Sequence, residues 1–422
     1  DQGPIAREVE CVVEAELAPE ALAVTLVHLD EARDPLLRRV RYRRERGRRR
    51  DRPVVAPARA VVHTSPSLAR GIRALDGRSL FNPFGVYDGL IGPREGLTEA
   101  CRRLSSRRLE TFALCPFRFF MEYVLETGDI EEPELPVDME RTDIGSAYHR
   151  ILYRLFLSLK REHLLPVTDA SLHTAFERLS LIIDDDLTHH MGPIPALVQR
   201  ARREIIAENL SDALNYEAER TSGGVVPRFF EWRFGFLPYE DNEEATPPLF
   251  IETPSGTVEI TGKIDRVDVD EEAGVFAVID YKTRRPSDIG LPTRIRKGLS
   301  LQLPLYLVAA RDILFSGGLD PFATSHIYME KPIGKEREER IDLSTSPDII
   351  DAAISHTHRF VEMMHAGVFF PAGVVPERGC RFCEHKNHCR SGPKDIAQIR
   401  KDKTLASLGL DTVTQEEEDT DD

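Results

Sequence analysis

No stretch of the 422 residues approaches the ~18 consecutive apolar positions that a membrane-spanning helix needs, so a membrane span is not expected. The opening Asp1-Gln-Gly-Pro-Ile-Ala-Arg-Glu8 lacks the apolar core of a secretory signal. A cytoplasmic, thiol-reducing setting is therefore expected, in which the six cysteines are not disulfide-bonded. An initiator Met is also missing, and the chain is expected to be a piece of a longer protein. There is no Gly-x4-Gly-Lys-Ser/Thr phosphate loop, so ATP-driven work is not expected of these residues. No internal repeat occurs. An excess of positive charge is missing too: the net charge of −15 argues against a protein that coats nucleic acid uniformly. Charge instead comes in blocks. Residues 38–52 hold ten Arg, and residues 411–422 hold seven acids and no base. Both read first as solvated segments, and the Arg block is also a candidate for phosphate contact.

What is present suits a folded protein of more than one typical domain, with 41% hydrophobic and 30% charged residues. A strand-like start (Val9 to Val27) leads through the Arg block to a Pro- and Gly-punctuated stretch, Ser65 to Gly96. Ser105 or Ser106 can cap a helix from Arg107 to Val124, whose stripe is Leu109, Phe112, Ala113, Phe117 and Phe120. After an acidic loop (129–138), a second helix starts near Gly145 with His149 and Leu152 on one side. A long helical region covers 170–219, β structure 226–282, and helices 299–314 and 347–366, before a Cys-rich end closing at Cys389. Helices, a small mixed sheet and more helices predict an α/β layered core.

The most informative segment is Gly262 to Lys282, which reads as a β-hairpin turning at Glu271-Glu-Ala-Gly274. If those four residues form the turn, every cross-strand pair sums to 545 and Asp265 stands opposite Asp280. Opposed residues share a face, with Cβ atoms ~5 Å apart, and Lys282 points the same way. Two like charges so close are a solvated pair or a site for an oxygen-ligated cation such as Mg²⁺. Asp280 ends an apolar run, where a carboxylate needs a compensating partner. Gln302 and Tyr306 lie four apart and share a helix face, with Pro304 expected in that helix's first turn. Arg284, Arg285, Arg294, Arg296 and Lys297 are candidate DNA phosphate contacts or a solvated loop. Cys380-x2-Cys383-x5-Cys389 with the remote Cys115 suits a four-thiolate zinc or iron–sulfur site. Cys11 and Cys101 fall outside that pattern.

Gly262-Lys-Ile-Asp-Arg-Val-Asp268 followed by Val278-Ile-Asp-Tyr-Lys-Thr283 resembles the nuclease core of the RecB and AddB branch of the PD-(D/E)XK superfamily. Gly145-Ser-Ala-Tyr-His149, Gln302-Leu-Pro-Leu-Tyr306 and the four Cys fall in that family's order. The weaker Phe84-Gly-Val-Tyr-Asp-Gly89 is similar to its lead-in segment. The resemblance covers residues 104–392 and implies a restriction-endonuclease-like core with a helical insert and an iron–sulfur staple. It implies that Asp265, Asp280, His149 and the backbone carbonyl of Tyr281 hold Mg²⁺ or Mn²⁺. Lys282 would handle the water or the phosphate charge, while Gln302 and Tyr306 line the site. Glu231 matches an acidic residue that meets a second metal or water, or is a plain strand glutamate. Cys115, Cys380, Cys383 and Cys389 would bind a [4Fe–4S] cluster. The implied activity is exonucleolytic DNA hydrolysis in double-strand break processing, beside a helicase/nuclease partner. Rivals are a CRISPR-adaptation nuclease of the same superfamily and an inactive nuclease fold that binds DNA. The expected domains are a connector (1–103), the nuclease (104–392) and an acidic tail (393–422).

Overall fold

The computed structural model describes residues 66–77, 85–94, 96–127, 141–190, 196–220, 224–236, 245–285, 289–332 and 334–371, with 380, 383–385 and 389. The expected strand at Val9 to Val27, the Arg block and the acidic tail lie outside them. The chain divides into two units, one of residues 1–92, 367–371 and 392–422, the other of 93–366 and 372–391. The described part of the first holds α1 (Pro66–Gly77), a 3₁₀ turn and an antiparallel bridge from Leu90 to Val368.

The second unit begins with α2 (Leu97–Arg102), β1 (Arg103–Ser105), α3 (Ser106–Leu114) and α4 (Pro116–Phe119), which runs into a π turn to Val124. The single helix expected over 107–124 is broken at Cys115, whose backbone is extended at φ −164°, ψ 109°. The ring of Pro116 disfavours a helical residue before it. Ser105 does cap α3, its hydroxyl accepting the Arg108 amide at 3.3 Å. Next come α5 (Arg141–Arg161), α6 (Asp169–His190) and α7 (Ala196–Arg220). The region expected as helical over 170–219 is two helices, with Pro193 and Pro195 between them. The sheet follows: β2 (Val226–Phe234), β3 (Leu249–Thr253), β4 (Gly256–Asp270) and β5 (Val275–Lys282), then α8 (Leu291–Arg296) and α9 (Gln302–Ala309). The last elements are β6 (Asp320–Tyr328), β7 (Glu338–Asp342) and α10 (Ile349–His365).

The seven strands run β1-β4-β5-β6-β7, with β2 and β3 also on β4. β1 and β4 are parallel, as are β5 and β6, and the other pairs are antiparallel. Helices cover both faces, so the mixed α/β architecture matches the fold expected from sequence. The face under α5–α7 carries Ile279 and Tyr281 from β5, packed with Tyr148, Ile151 and Leu155. On the opposite face Asp280 and Lys282 meet Gln302 of α9.

The hairpin register is the one read from sequence, from Asp270↔Val275 to Arg266↔Ile279. There the ladder ends, one pair short of Asp265 and Asp280. At the same level the alternation of faces slips by one residue. Phe230 stacks on Phe156 of α5 and the Arg266 guanidinium lies 4.8 Å above that ring. Four residues away, Phe234 sets its edge against Tyr306 of α9. Gly262 approaches the same ring so closely that a Cβ would meet Tyr306 Cε1 at 2.6 Å. In a regular strand these residues would share a face. The slip falls at Glu231, whose φ is +53°, and Asp265, where the β2–β4 ladder steps from Phe230↔Arg266 to Trp232↔Ile264.

Under α7 lies a buried ionic network. Arg266 donates to Glu217 at 2.6 Å and to Asp268 at 2.8 Å, and to the Tyr281 hydroxyl at 3.2 Å. Arg220 ties Asp268 to Glu338. Burial alone would raise the Glu217 pKa, but the guanidiniums of Arg266 and Arg220 outweigh it and the net shift is downward. Glu217→Gln should therefore cost about 3 kcal/mol in urea unfolding at neutral pH, because it strands a buried cation. The depressed carboxyl contributes its stability above the unfolded value of ~4.3 and loses it as pH falls through the folded one. Wild-type and variant stabilities should thus converge in acid.

Candidate functional site

Three chain segments meet at the slip. β2 brings Glu231, β4 brings Asp265 and α5 brings His149, with ligand atoms all within 4.8 Å of one another. His149 Nδ1 lies 3.2 Å from Asp265 Oδ1 and 3.7 Å from Glu231 Oε1. The other Asp265 oxygen accepts the Tyr281 amide at 2.8 Å. Gly145, one turn before His149, lets α5 come this near: a Cβ there would sit 3.1 Å from Thr283 Oγ1. A left-handed Glu231 costs about 1–3 kcal/mol, and that strain turns its carboxylate to the cluster. Burial would lower the His149 pKa, but hydrogen bonds to Asp265 and Glu231 raise it to about 10. An imidazolium thus sits between two carboxylates, where a cation would. Burial would raise the Glu231 carboxyl, but His149 and Lys263 hold it below its ordinary value. One imidazole and two carboxylates form a donor set suited to Mg²⁺ or Mn²⁺.

A second group stands on the other face. Buried Asp280 accepts the Gln302 side-chain amide at 2.6 Å and pairs with Lys282 Nζ at 2.7 Å. Lys282 also donates to Gln302 Oε1 at 2.7 Å, closing a triangle. Burial would lower the Lys282 pKa, yet Asp280 prevails and the shift is upward. Pro304 lies in the first turn of α9, as expected. Tyr306 is buried beside these groups, its ring over Gly262.

Two residues here were missed in the sequence. Glu110 Oε1 accepts the backbone amides of Leu301 at 2.7 Å and Gln302 at 3.1 Å, so it caps α9 from α3. Burial raises its pKa, against those amides and Lys282. The sequence showed only a polar position on an amphipathic helix. His326 is the β6 partner of Asp280, 3% exposed, with Nε2 3.6 Å from Asp280 Oδ2. Neither ring nitrogen has a hydrogen-bond partner among the described residues, and burial pushes its pKa down to about 3. Its strand was not anticipated, because Thr324, Ser325 and His326 are buried without being apolar.

The expected metal set is thus redrawn. His149 and Asp265 come together with Glu231, whereas Asp280 is turned to Lys282 and Gln302, because the slip stops Asp265 and Asp280 from standing face to face. Tyr281 takes part through its amide bond to Asp265. The basic stretch expected as a solvated loop contains α8 and is largely paired. Arg294 is buried on Glu339 at 2.6 Å, and Arg285 meets the same carboxylate. Arg284 pairs with Glu330 and Arg296 with Asp348, while Lys297 follows α8. Burial pushes the Cys115 thiol up to about 12, and the nearby Cys383 and Cys380 push the same way. The Cys389 amide bonds to the His385 carbonyl at 3.0 Å.

A sequence model of the PD-(D/E)XK nuclease superfamily matches residues 103–390. The chain is similar to the B subunit of the ATP-dependent helicase/deoxyribonuclease of Moorella thermoacetica, 31% identical over 280 residues, covering 61% of this chain and 23% of that protein. The protein of the same description from Clostridium acetobutylicum is 28% identical over 260 residues, covering 59% and 21%. That from Clostridioides difficile is 30% identical over 251 residues, covering 57% and 20%. The chain thus spans between about a fifth and a quarter of the length of these curated relatives.

Glu110→Ala leaves two buried amides without an acceptor and should cost about 1–3 kcal/mol of stability. Glu110→Gln keeps an acceptor oxygen and should cost less, which chemical denaturation of both variants would check.

Proposed function

The chain belongs to the PD-(D/E)XK nuclease superfamily, and we propose that it is a divalent-metal-dependent DNA nuclease that hydrolyses phosphodiester bonds at DNA ends. The observation that carries this reading is the convergence of His149, Glu231 and Asp265 on one point, beside the strand that bears Asp280 and Lys282. His149, Glu231 and Asp265 would hold Mg²⁺ or Mn²⁺, with Asp280 and the Tyr281 carbonyl completing the site. A cation bound there would lower the pKa of a coordinated water and polarise a phosphate oxygen.

The protein's own groups do the rest. Lys282 keeps its proton because Asp280 outweighs the effect of burial, so its ammonium opposes the charge that develops on the phosphate oxygens. Two of its three N–H donors are engaged by Asp280 and Gln302. Gln302 fixes both partners, and Glu110 fixes Gln302 by gripping the first turn of its helix. Tyr306 closes the wall over Gly262.

The relatives' description supports a place beside a helicase partner in a DNA-processing complex, in the cytoplasm, with exonucleolytic action in break repair. No described helix is long and apolar enough to cross a membrane. We assign the nuclease to residues 104–392, between a connector (1–103) and an acidic tail (393–422). Cys115, Cys380, Cys383 and Cys389 would carry a [4Fe–4S] cluster, a reading supported by the proximity of Cys380 and Cys383 to Cys115.

With end-labelled single- and double-stranded DNA, Mg²⁺ should support cleavage and EDTA should stop it. Asp265→Asn and Asp280→Ala should each reduce the rate by about a thousandfold or more while DNA binding persists; catalytic contributions of this size are usual for a charge-stabilising group. Cleavage retained by Asp280→Ala would overturn the assignment. Anaerobically purified protein should be brown with about four iron atoms per chain, and Cys115→Ala should lose both. A colourless protein containing zinc would replace the cluster with a Cys₄ zinc site.

A further inference from the structure

The N-terminal half of β4 has one face that no helix covers. Val258, Ile260 and Gly262 point into the core, and Glu259, Thr261 and Lys263 point away from it. Lys263 and its strand partner Arg233 stand next to the metal triad, since Lys263 forms an ion pair with Glu231. Two large aromatic side chains lie open beside them. Phe236 is 39% exposed with the Arg233 guanidinium 4.8 Å above its ring, and Phe250 is 57% exposed. Phe250 pairs with Glu259 across β3 and β4, and Glu259 pairs with Arg103 across β4 and β1. Arg103 reaches over the strand to the Gly235 carbonyl. Glu259 is itself matched by Arg102 and Arg103. Among the described residues Arg233 has no carboxylate partner.

Exposed rings interleaved with cations on a sheet are what unpaired bases and their phosphates fit: the π faces stack and the cations track the backbone. Solvent-facing rings of this size need an occupant, and a duplex, whose bases are already stacked, offers only phosphates. From Asp265 to Glu259 the strand runs about 20 Å, room for a few nucleotides that end at the triad. We propose that this face is the platform on which a single DNA strand lies as it is fed to the metal site, with bases on Phe236 and Phe250 and phosphates on Arg233, Lys263 and Arg103. The proposal rests on the nuclease reading for its direction, and on the open face itself for the binding.

Binding of a fluorescent oligothymidylate to the full chain in EDTA, followed by anisotropy, tests it without cleavage. Phe236→Ala and Phe250→Ala should each weaken single-strand binding by about tenfold, as loss of one stacked base does, and should change blunt-duplex binding far less. Arg233→Gln should reduce the slope of log affinity against log salt by about one. Thermal melts of these surface variants should match wild type. Photocrosslinks from 4-thiothymidine should map to Phe236 or Phe250. Wild-type single-strand affinity in the double Phe variant would overturn the platform and leave this face to a protein partner. The two readings fail separately. Asp280-dependent cleavage with unaltered binding in the Phe variants sinks the platform alone. Failure of wild type to cleave in Mg²⁺ or Mn²⁺, with binding lost in the Phe variants, sinks the nuclease alone.

Discussion

The hydrogen bond from the Tyr281 amide to Asp265 sits where β4 and β5 part company, and the arrangement of the site follows from that parting. A strand leaving its neighbour exposes backbone donors that must find other acceptors. Here a carboxylate supplies one, which fixes Asp265 in the opening between the strands. With one oxygen so engaged, the other is left facing His149. β2 yields at the same level through a left-handed Glu231. Both irregularities are needed together. If either strand kept its alternation, Phe230 and Phe234 would face the same helix layer, and one of them would lose the pocket it fills against Phe156 or Tyr306.

Charge is handled differently on the two sides of this opening. Beneath α7, Arg266 and Arg220 are matched by Glu217, Asp268 and Glu338, with little exposure and no group to spare. Those pairs set where α7 lies against the sheet. At the triad the balance depends on a proton: two carboxylates share His149, with Lys263 alongside. A proton held so tightly between acids marks a place whose electrostatics favour a cation. The Asp280–Lys282–Gln302 triangle is neutral by itself, so it can stand beside the triad without adding to its negative charge.

Much of this was legible in the residues, for physical reasons that differ by element. The hairpin register followed from turn position and the period of two, and it holds from Asp270 to Arg266. The facing of Asp265 and Asp280 did not follow, since that inference assumed an unbroken pleat and nothing in Ile264-Asp-Arg266 marks a slip. Glu231 looked like any strand glutamate, because a left-handed backbone at a non-glycine residue leaves no trace in composition. The break at Cys115-Pro116 was written in the proline and passed over in favour of the apolar stripe. β6 was hidden because a strand buried between parallel and antiparallel neighbours can carry Thr324, Ser325 and His326 inward and loses its alternation. The arginines after β5 looked free, since their acidic partners, Glu330, Glu339 and Asp348, are distant in sequence.

The break at Cys115 has a role in the geometry of the site. α3 is fixed at its start by the Ser105 cap and near its end by Phe112, which packs on Phe119 and on Phe360 of α10. Between these anchors stands Glu110, gripping the first amides of α9 and so the position of Gln302. Had the helix run on through residue 115, the thiol would have stayed on the helix surface at the angle set by a 3.6-residue turn. The extended residue before Pro116 instead swings it toward Cys380 and Cys383, five residues from Glu110. Any group that ties these thiols together holds the end of the same short helix that positions Gln302 and, through it, Lys282. The distant ends of the nuclease region then bear on the site through one helix and one buried carboxylate, and no further strand or loop has to carry that constraint.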